Sequence, residues 1–192
     1  MTMRTIKIVR TRVSKRALKE AADVLRGGGV VVFPTETSYG LAADPLNPKA
    51  VRLVYTIKER SKRKPLPFIA SSRRAVEKRF VLRGKARALA LRYWPGPLTL
   101  VLPFKKGRKT GAVRVPSSAW ARAIAHAAGG LITSTSANIS GESAVYNSRG
   151  IARSFVGCDS APDLFLNAGV LPKRRSSTIV RVKNDTLEVL RV

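Results

Sequence analysis

Four consecutive apolar residues, Val30-Val31-Val32-Phe33, run straight into Pro34. The run is too short for a helix, lacks polar alternation and is rich in β-branched side chains, so it reads as a strand buried on both faces. Such a strand needs apolar layers on either side, which points to a sheet flanked by helices. Gly27-Gly28-Gly29 precedes it and ends a helical stretch. That stretch starts at Ser14, a suitable N-cap, and places Leu18, Ala21, Ala22 and Leu25 on one face. The glycines close a helix instead of opening one, and no G-K-[ST] follows, so this is not a P-loop.

The rest of the chain alternates in the same way. Residues 4–9 read as a first strand, and Asn47-Pro48 starts a helix whose stripe is Val51, Val54, Tyr55 and Ile57. Leu66 to Ala70 is strand-like, Ser71 caps a helix over 72–79, and Lys85 to Tyr93 is helical until Trp94-Pro95-Gly96-Pro97 breaks it. Leu98 to Phe104 and Thr110 to Val115 read as strands, followed by an Ala-rich helix ending at Gly129-Gly130 and a buried strand, Leu131-Ile132-Thr133. Residues 149–156 are expected to be helical. Leu164 to Leu166, Thr178 to Val182 and Leu187 to Val192 read as strands, with Asn184-Asp185 turning the last two into a hairpin. The expectation is one α/β domain over residues 1–192, a twisted mixed sheet flanked by helices, with parallel crossovers early and a hairpin at the end.

Charge narrows the function classes. Lys and Arg number 37 against 11 Asp and Glu, a net +26. Such an excess favours polyanionic partners such as RNA, DNA or nucleotide phosphates, although solubility alone can also select it. Aromatic residues are only 6%, and no base-stacking motif appears. One cysteine, Cys158, gives neither an intrachain disulfide nor a thiolate metal cluster. His126 is the only histidine, so histidine-rich metal sites are excluded and no spacing supports a Ser-His-Asp triad. No apolar run reaches transmembrane length and the N-terminus has no secretory apolar region, so a soluble cytoplasmic protein without a membrane partner is expected.

Three polar loops follow buried strands or the helix beside them: 35–40, 58–65 and 134–141. The second, K-E-R-S-K-R-K-P, carries five cations, Lys58, Arg60, Lys62, Arg63 and Lys64, against Glu59. By itself it reads either as a solvated charge run or as a wall awaiting an anion. On one sheet edge the three loops would form a pocket with cations on one wall and hydroxyls on another, suited to a phosphate-containing ligand.

The order of motifs adds more. P-T-E-T-S-Y-G-L (34–41), K-E-R (58–60), K-P-L (64–66), W-P-G-P-L-T (94–99), V-R-V-P (113–116), S-T-S-A-N-I-S-G (134–141) and S-T-I-V (177–180) occur in sequence. Together they resemble the YrdC/Sua5 family of threonylcarbamoyl-AMP synthases, in its short YrdC-type form. The resemblance implies a nucleotidyltransferase that condenses L-threonine, bicarbonate and ATP to threonylcarbamoyl-adenylate and pyrophosphate. That product feeds t6A modification of adenosine 37 in tRNA, with a second enzyme making the transfer. The family's K-x-R…S-x-N quartet falls on Lys58, Arg60, Ser136 and Asn138, which the resemblance makes catalytic. ATP contacts fall on Arg60, Lys64, Thr110, Arg114, Ser134, Ser136 and Arg191, and threonine contacts on Thr37, Lys58 and Ser177. No protein metal site is implied; Mg²⁺ is expected to arrive with ATP, without a dedicated cage.

The chain departs from the family pattern at several places. Ile69 stands near a position where many members carry histidine, Ser38 replaces an aliphatic residue, and the family serine beyond S-A-N falls at Ala144, next to Ser143. The usual R-P-G is here Arg191-Val192, which predicts a less well anchored Arg191. Two other readings compete. One is a basic module that binds tRNA or double-stranded RNA without catalysis. The other is carbamoyl-adenylate chemistry of hydrogenase maturation, against which stand the absent zinc fingers and acylphosphatase-like segment.

Overall fold

A computed structural model describes residues 3–155, 158, 160–183 and 186–192. In chain order the elements are β1 (Arg4–Lys7), α1 (Lys15–Arg26), β2 (Val31–Pro34), β3 (Tyr39–Ala42), α2 (Pro48–Ile57), β4 (Phe68–Ala70), α3 (Arg73–Arg79) and α4 (Gly84–Tyr93). Then follow β5 (Leu98–Pro103), β6 (Thr110–Arg114), α5 (Ala119–Ala127), β7 (Leu131–Thr133), β8 (Thr135–Ser136), α6 (Ser148–Ser154), β9 (Leu164–Asn167), β10 (Thr178–Lys183) and β11 (Thr186–Arg191). Helix starts follow capping chemistry. Ser14 Oγ accepts from Ala17 N, Asn47 Oδ1 from Lys49 N and Ala50 N, and Ser118 Oγ from Ala121 N. The cap of α3 is Ser72, one residue beyond the expected Ser71, because Ser72 Oγ reaches Ala75 N at 3.1 Å. Asn184 and Asp185, and residue 156 of the expected sixth helix, lie outside the described residues. The flanking strands β10 and β11 nevertheless pair antiparallel, with Lys183 opposite Thr186.

The mixed α/β class is as expected, but the strands divide between two sheets. One has the order β1-β9-β2-β3-β8, the other β11-β10-β5-β6-β4-β7. The segment Leu131–Ser136 causes the division. Its first part pairs with β4 in the six-stranded sheet, and Thr135–Ser136 pairs with β3 in the five-stranded one. Thr133 reinforces the crossing, since its backbone N donates to Ala43 O and its Oγ1 accepts from Ala43 N. Early parallel crossovers are also not the rule. β1 and β2 are each parallel to β9, whereas β2 turns directly into the antiparallel β3. Tyr39 and Gly40, expected at the end of the polar loop 35–40, are therefore strand, with Tyr39 fully buried.

Burial explains the layers. Val31 and Phe33 of β2 and Leu164 and Leu166 of β9 pack with α1 and α5, and the same core takes in Ile69 and Ile132 of the six-stranded sheet. Val30 and Val32 point the other way, against Ala50, Val54 and Ile57 of α2. The apolar run Val30–Phe33 is thus buried on both faces. On the far side, α3 and α4 cover the six-stranded sheet through Val76, Phe80, Ala90, Leu100 and Val113. Among the described residues, no helix is long and apolar enough to cross a membrane.

Ser118 ties this packing to the β2–β3 turn. Besides capping α5, its Oγ donates to Pro34 O at 3.2 Å and its backbone N donates to Glu36 Oε2 at 3.3 Å. Replacing Ser118 with Ala is expected to cost about 1 kcal/mol, the usual worth of an N-cap. The midpoint of urea unfolding checks this.

Candidate active site

A cavity of about 300 Å³ opens between the two sheets. The three polar loops do converge, but across this gap and not along one sheet edge. Thr35, Thr37, Ser38, Ser134 and Ser136 bring hydroxyls from the five-stranded side or the crossing segment. Arg114, Thr99, Ser177 and Arg191 come from the six-stranded side, and Arg60 from the loop after α2.

Each lining arginine is already held by the protein. Arg60 donates through Nε to Lys64 O at 3.0 Å and through Nη2 to Pro65 O at 3.2 Å. Its loop is tightly wound: Glu59 has φ 49°, in the left-handed region uncommon for a non-glycine residue. Arg114 pairs with the Glu36 carboxylate, both side chains being about nine-tenths buried. Burial pushes the Arg114 guanidinium's pKa down, the neighbouring Glu36 opposes this, and Arg191 adds to the downward push. Arg191 donates to Ser177 O through Nε and Nη2 and to Ser177 Oγ through Nη2. It is therefore well anchored, contrary to the expectation from its neighbours in sequence, because β11 sets it opposite Ile179 of β10.

The hydroxyls form networks of their own. Ser177 Oγ lies 2.8 Å from Thr99 Oγ1, both residues being buried. Thr35 Oγ1 donates to Ser38 O at 2.7 Å, accepts from Thr37 N and Ser38 N, and lies 2.9 Å from Thr37 Oγ1. A hydroxyl has a single proton to give. With that proton spent on Ser38 O and both lone pairs of Thr35 Oγ1 taken by Thr37 N and Ser38 N, the Thr37 hydroxyl keeps a proton and lone pairs for a further contact. Tyr39 also lines the cavity, but its Oη is fully engaged, donating to Gly169 O and accepting from Ala168 N.

Other residues singled out from the sequence stand elsewhere. Lys58 is 1% exposed and lies behind the wall, where Nζ donates to Ser136 O and Asn138 O, each at 2.6 Å. Burial, then Arg60, lower its pKa to about 8, and Glu142 opposes them. Asn138 is also buried behind the wall. Its Nδ2 donates to Ile139 O and Glu142 O, and its Oδ1 is the buried side-chain polar atom without a partner among the described residues. Lys64 is exposed and contributes its carbonyl to Arg60. Thr110 is exposed at the start of β6, on the same face as Ala112 and Arg114 but beyond the enclosed lining. Ile69 is fully buried in the core, and its neighbour Phe68 lines the cavity instead.

The family model Sua5_yciO_yrdC, described as "Telomere recombination", matches residues 23–192. The chain belongs to this family. A threonylcarbamoyl-AMP synthase of Methylococcus capsulatus is 41% identical over 137 residues, covering 65% of this chain and 72% of that protein. One from Thiobacillus denitrificans is 36% identical over 166 residues, 81% of this chain and 86% of that protein. The structure of Pyrococcus abyssi Sua5 complexed with L-threonine matches with a TM-score of 0.87 at 30% identity, over 100% of this chain and 57% of the Sua5 chain. In this Sua5/YciO/YrdC chain, sequence reasoning placed Thr35 and Glu36 within the polar loop 35–40 without giving either a role, and missed Thr99 as part of the site. Thr35 and Glu36 lie inside P-T-E-T and Thr99 ends W-P-G-P-L-T. The signal was present, but the partner that gives each side chain its role is distant in sequence.

The Lys58 environment has a measurable consequence. Its folded pKa of about 8 lies below the ordinary lysine value of 10.5. Between these values the unfolded chain holds a proton that the folded chain has released, so stability rises with pH across that window. Below it Lys58 contributes no slope. Wild type is therefore expected to gain stability relative to a Lys58→Met variant as pH rises from 8 towards 10. Urea midpoints measured in parallel test this, and a pH-independent difference would contradict it.

Proposed function

We propose that the chain condenses L-threonine, bicarbonate and ATP to threonylcarbamoyl-AMP and pyrophosphate, supplying t6A modification of tRNA in the cytoplasm. The observation that carries this reading is the cavity's charge. Among the described residues, Arg60, Arg114 and Arg191 are its charged lining residues, set among hydroxyls, with neither carboxylate nor histidine on the lining. Such a wall is poorly equipped for acid–base chemistry and well equipped to bring anions together.

The chemistry asks for that. The neutral threonine amine attacks the bicarbonate carbon, and loss of water leaves a carbamate. A carbamate oxygen then attacks the ATP α-phosphorus, and the bond to the β-phosphate oxygen breaks as pyrophosphate leaves. Two anions must meet, so fixed cations lower the repulsion and stabilise charge in the transition state. Arg60, Arg114 and Arg191 are assigned to the nucleotide and carbamate, with Ser134 and Ser136 beside them. Thr37 and Ser177 are assigned to threonine. The Thr37 hydroxyl can both donate and accept there.

Lys58 and Asn138 act from behind the wall, fixing the Ser136–Asn138 backbone and adding positive potential. Lys64 and Thr110 meet the nucleotide only at the rim. Among the described residues the lining has no carboxylate to hold Mg²⁺, so the ion is proposed to enter on the ATP phosphates, whose charge it neutralises. Passing the threonylcarbamoyl group to tRNA falls to separate t6A transfer machinery. A stand-alone RNA-binding module is not favoured, since the relatives are named as synthases.

The test is to incubate the protein with ATP, L-threonine and bicarbonate and to follow threonylcarbamoyl-AMP by mass spectrometry and pyrophosphate release. Both products should require all three substrates; turnover indifferent to threonine would sink the reading. Arg60→Ala should lower turnover roughly 100-fold or more, the typical loss on removing a preorganised charge-stabilising donor. Neutralising the exposed Lys62 and Arg63 together should change it by no more than about threefold, as expected of screened surface charge.

A further inference from the structure

Among the described residues, Glu36 is the one carboxylate beside the cavity whose role the reaction above leaves open. It sits in the turn between β2 and β3, flanked by Thr35 and Thr37, both of which line the cavity. Its partner Arg114 ends β6 in the other sheet. Both carboxylate oxygens are used: Oε1 accepts from Arg114 Nη1 and Oε2 from Ser118 N. The two side chains are 9% and 10% exposed. The pair therefore bridges the two sheets beside the proposed reaction site, and one arginine nitrogen remains committed to Glu36 while the residue lines the cavity.

We propose that Glu36 is a positioning residue. It ties the Thr35–Ser38 turn to Arg114 across the cavity and fixes the spacing between the threonine and nucleotide subsites. The idea rests on the assignment of Thr37 and Arg114 made above. Glu36 reaches no substrate itself. Its backbone neighbours carry the threonine-side hydroxyl, and its carboxylate aims the guanidinium. A free arginine would have to be ordered at each binding event, which costs affinity; a tethered one is ordered in advance. Because the tether is an ion pair with low exposure, salt screens it little.

The test is a double-mutant cycle on wild type, Glu36→Gln, Arg114→Gln and the double variant. ATP affinity is measured by calorimetric titration, and kcat and KM for ATP by pyrophosphate release. Glu36→Gln keeps the shape and one acceptor but removes the charge. It should weaken ATP binding about tenfold, a coupling typical of groups in direct contact. In the Arg114→Gln background the same change should alter ATP affinity by less than about twofold. Glu36→Asp, which keeps the charge on a shorter arm, should recover part of the loss, and it replaces Glu36→Gln in the cycle should that variant fail to fold.

Losses that multiply in the double variant would overturn the proposal. So would unchanged ATP binding in a folded Glu36→Gln, or tighter binding, which would make Glu36 a competitor of phosphate. A wild type that binds ATP but releases no threonine-dependent pyrophosphate would refute the synthase reading alone, because the affinity cycle still tests the tether. A wild type without ATP affinity would refute both.

Discussion

An ammonium group held almost wholly out of water by two backbone carbonyls is the constraint on which the site depends. Among the described residues Lys58 has no carboxylate partner in hydrogen-bond range; its Nζ donates to the carbonyls of Ser136 and Asn138. Leaving a charge there without such acceptors would be prohibitive. Its place at the C-cap of α2 helps, since the carbonyl end of a helix favours a cation. The staple also runs in reverse, because Ser140 N donates to Lys58 O at 2.9 Å. The end of α2 and the loop after β8 are thus locked together. With the carbonyls of 136 and 138 turned inward to the ammonium, the Ser134 and Ser136 side chains remain on the cavity side.

The same logic recurs at the cavity wall. Each lining arginine has a protein acceptor that takes part of its guanidinium: carbonyls for Arg60, a carboxylate for Arg114, and a carbonyl and hydroxyl for Arg191. The acceptors differ in kind, and so does the net field. Carbonyls and hydroxyls orient a cation without cancelling it, whereas Glu36 orients Arg114 and also offsets its charge. Two of the three arginines therefore retain full charge in the cavity, and the third is the most deeply buried of them. Preorganised donors of this kind need little rearrangement as charge develops.

The sequence disclosed local chemistry far better than it disclosed partners. The Val30–Phe33 run, the caps at Ser14 and Asn47 and most strand limits follow from patterns a few residues long. The crossing of Leu131–Ser136 between sheets did not, because β8 has only two residues and no periodicity to read. Lys58 was identified as a cation that needs an explanation, but charge alone does not say whether a lysine faces a pocket or braces it from behind. Glu36 and Arg114 are 78 positions apart. Only the folded sheets reveal that they meet, and hence that the cavity lies between two walls instead of along one edge.

The net charge of +26 is a different matter from the cavity. Few of the 37 basic residues line it. At physiological ionic strength the Debye length is about 8 Å, so exposed lysines and arginines on the outer helices act weakly on a ligand already in the cavity. Their summed field acts on encounter, drawing polyanions to the surface at a rate that falls with salt. Arg114, deeply buried, is shielded little by mobile ions, and its contribution persists once the ligand is seated. The surface excess thus bears on how fast and how selectively anions arrive. The few held cations, braced from behind by Lys58, bear on what happens to them there.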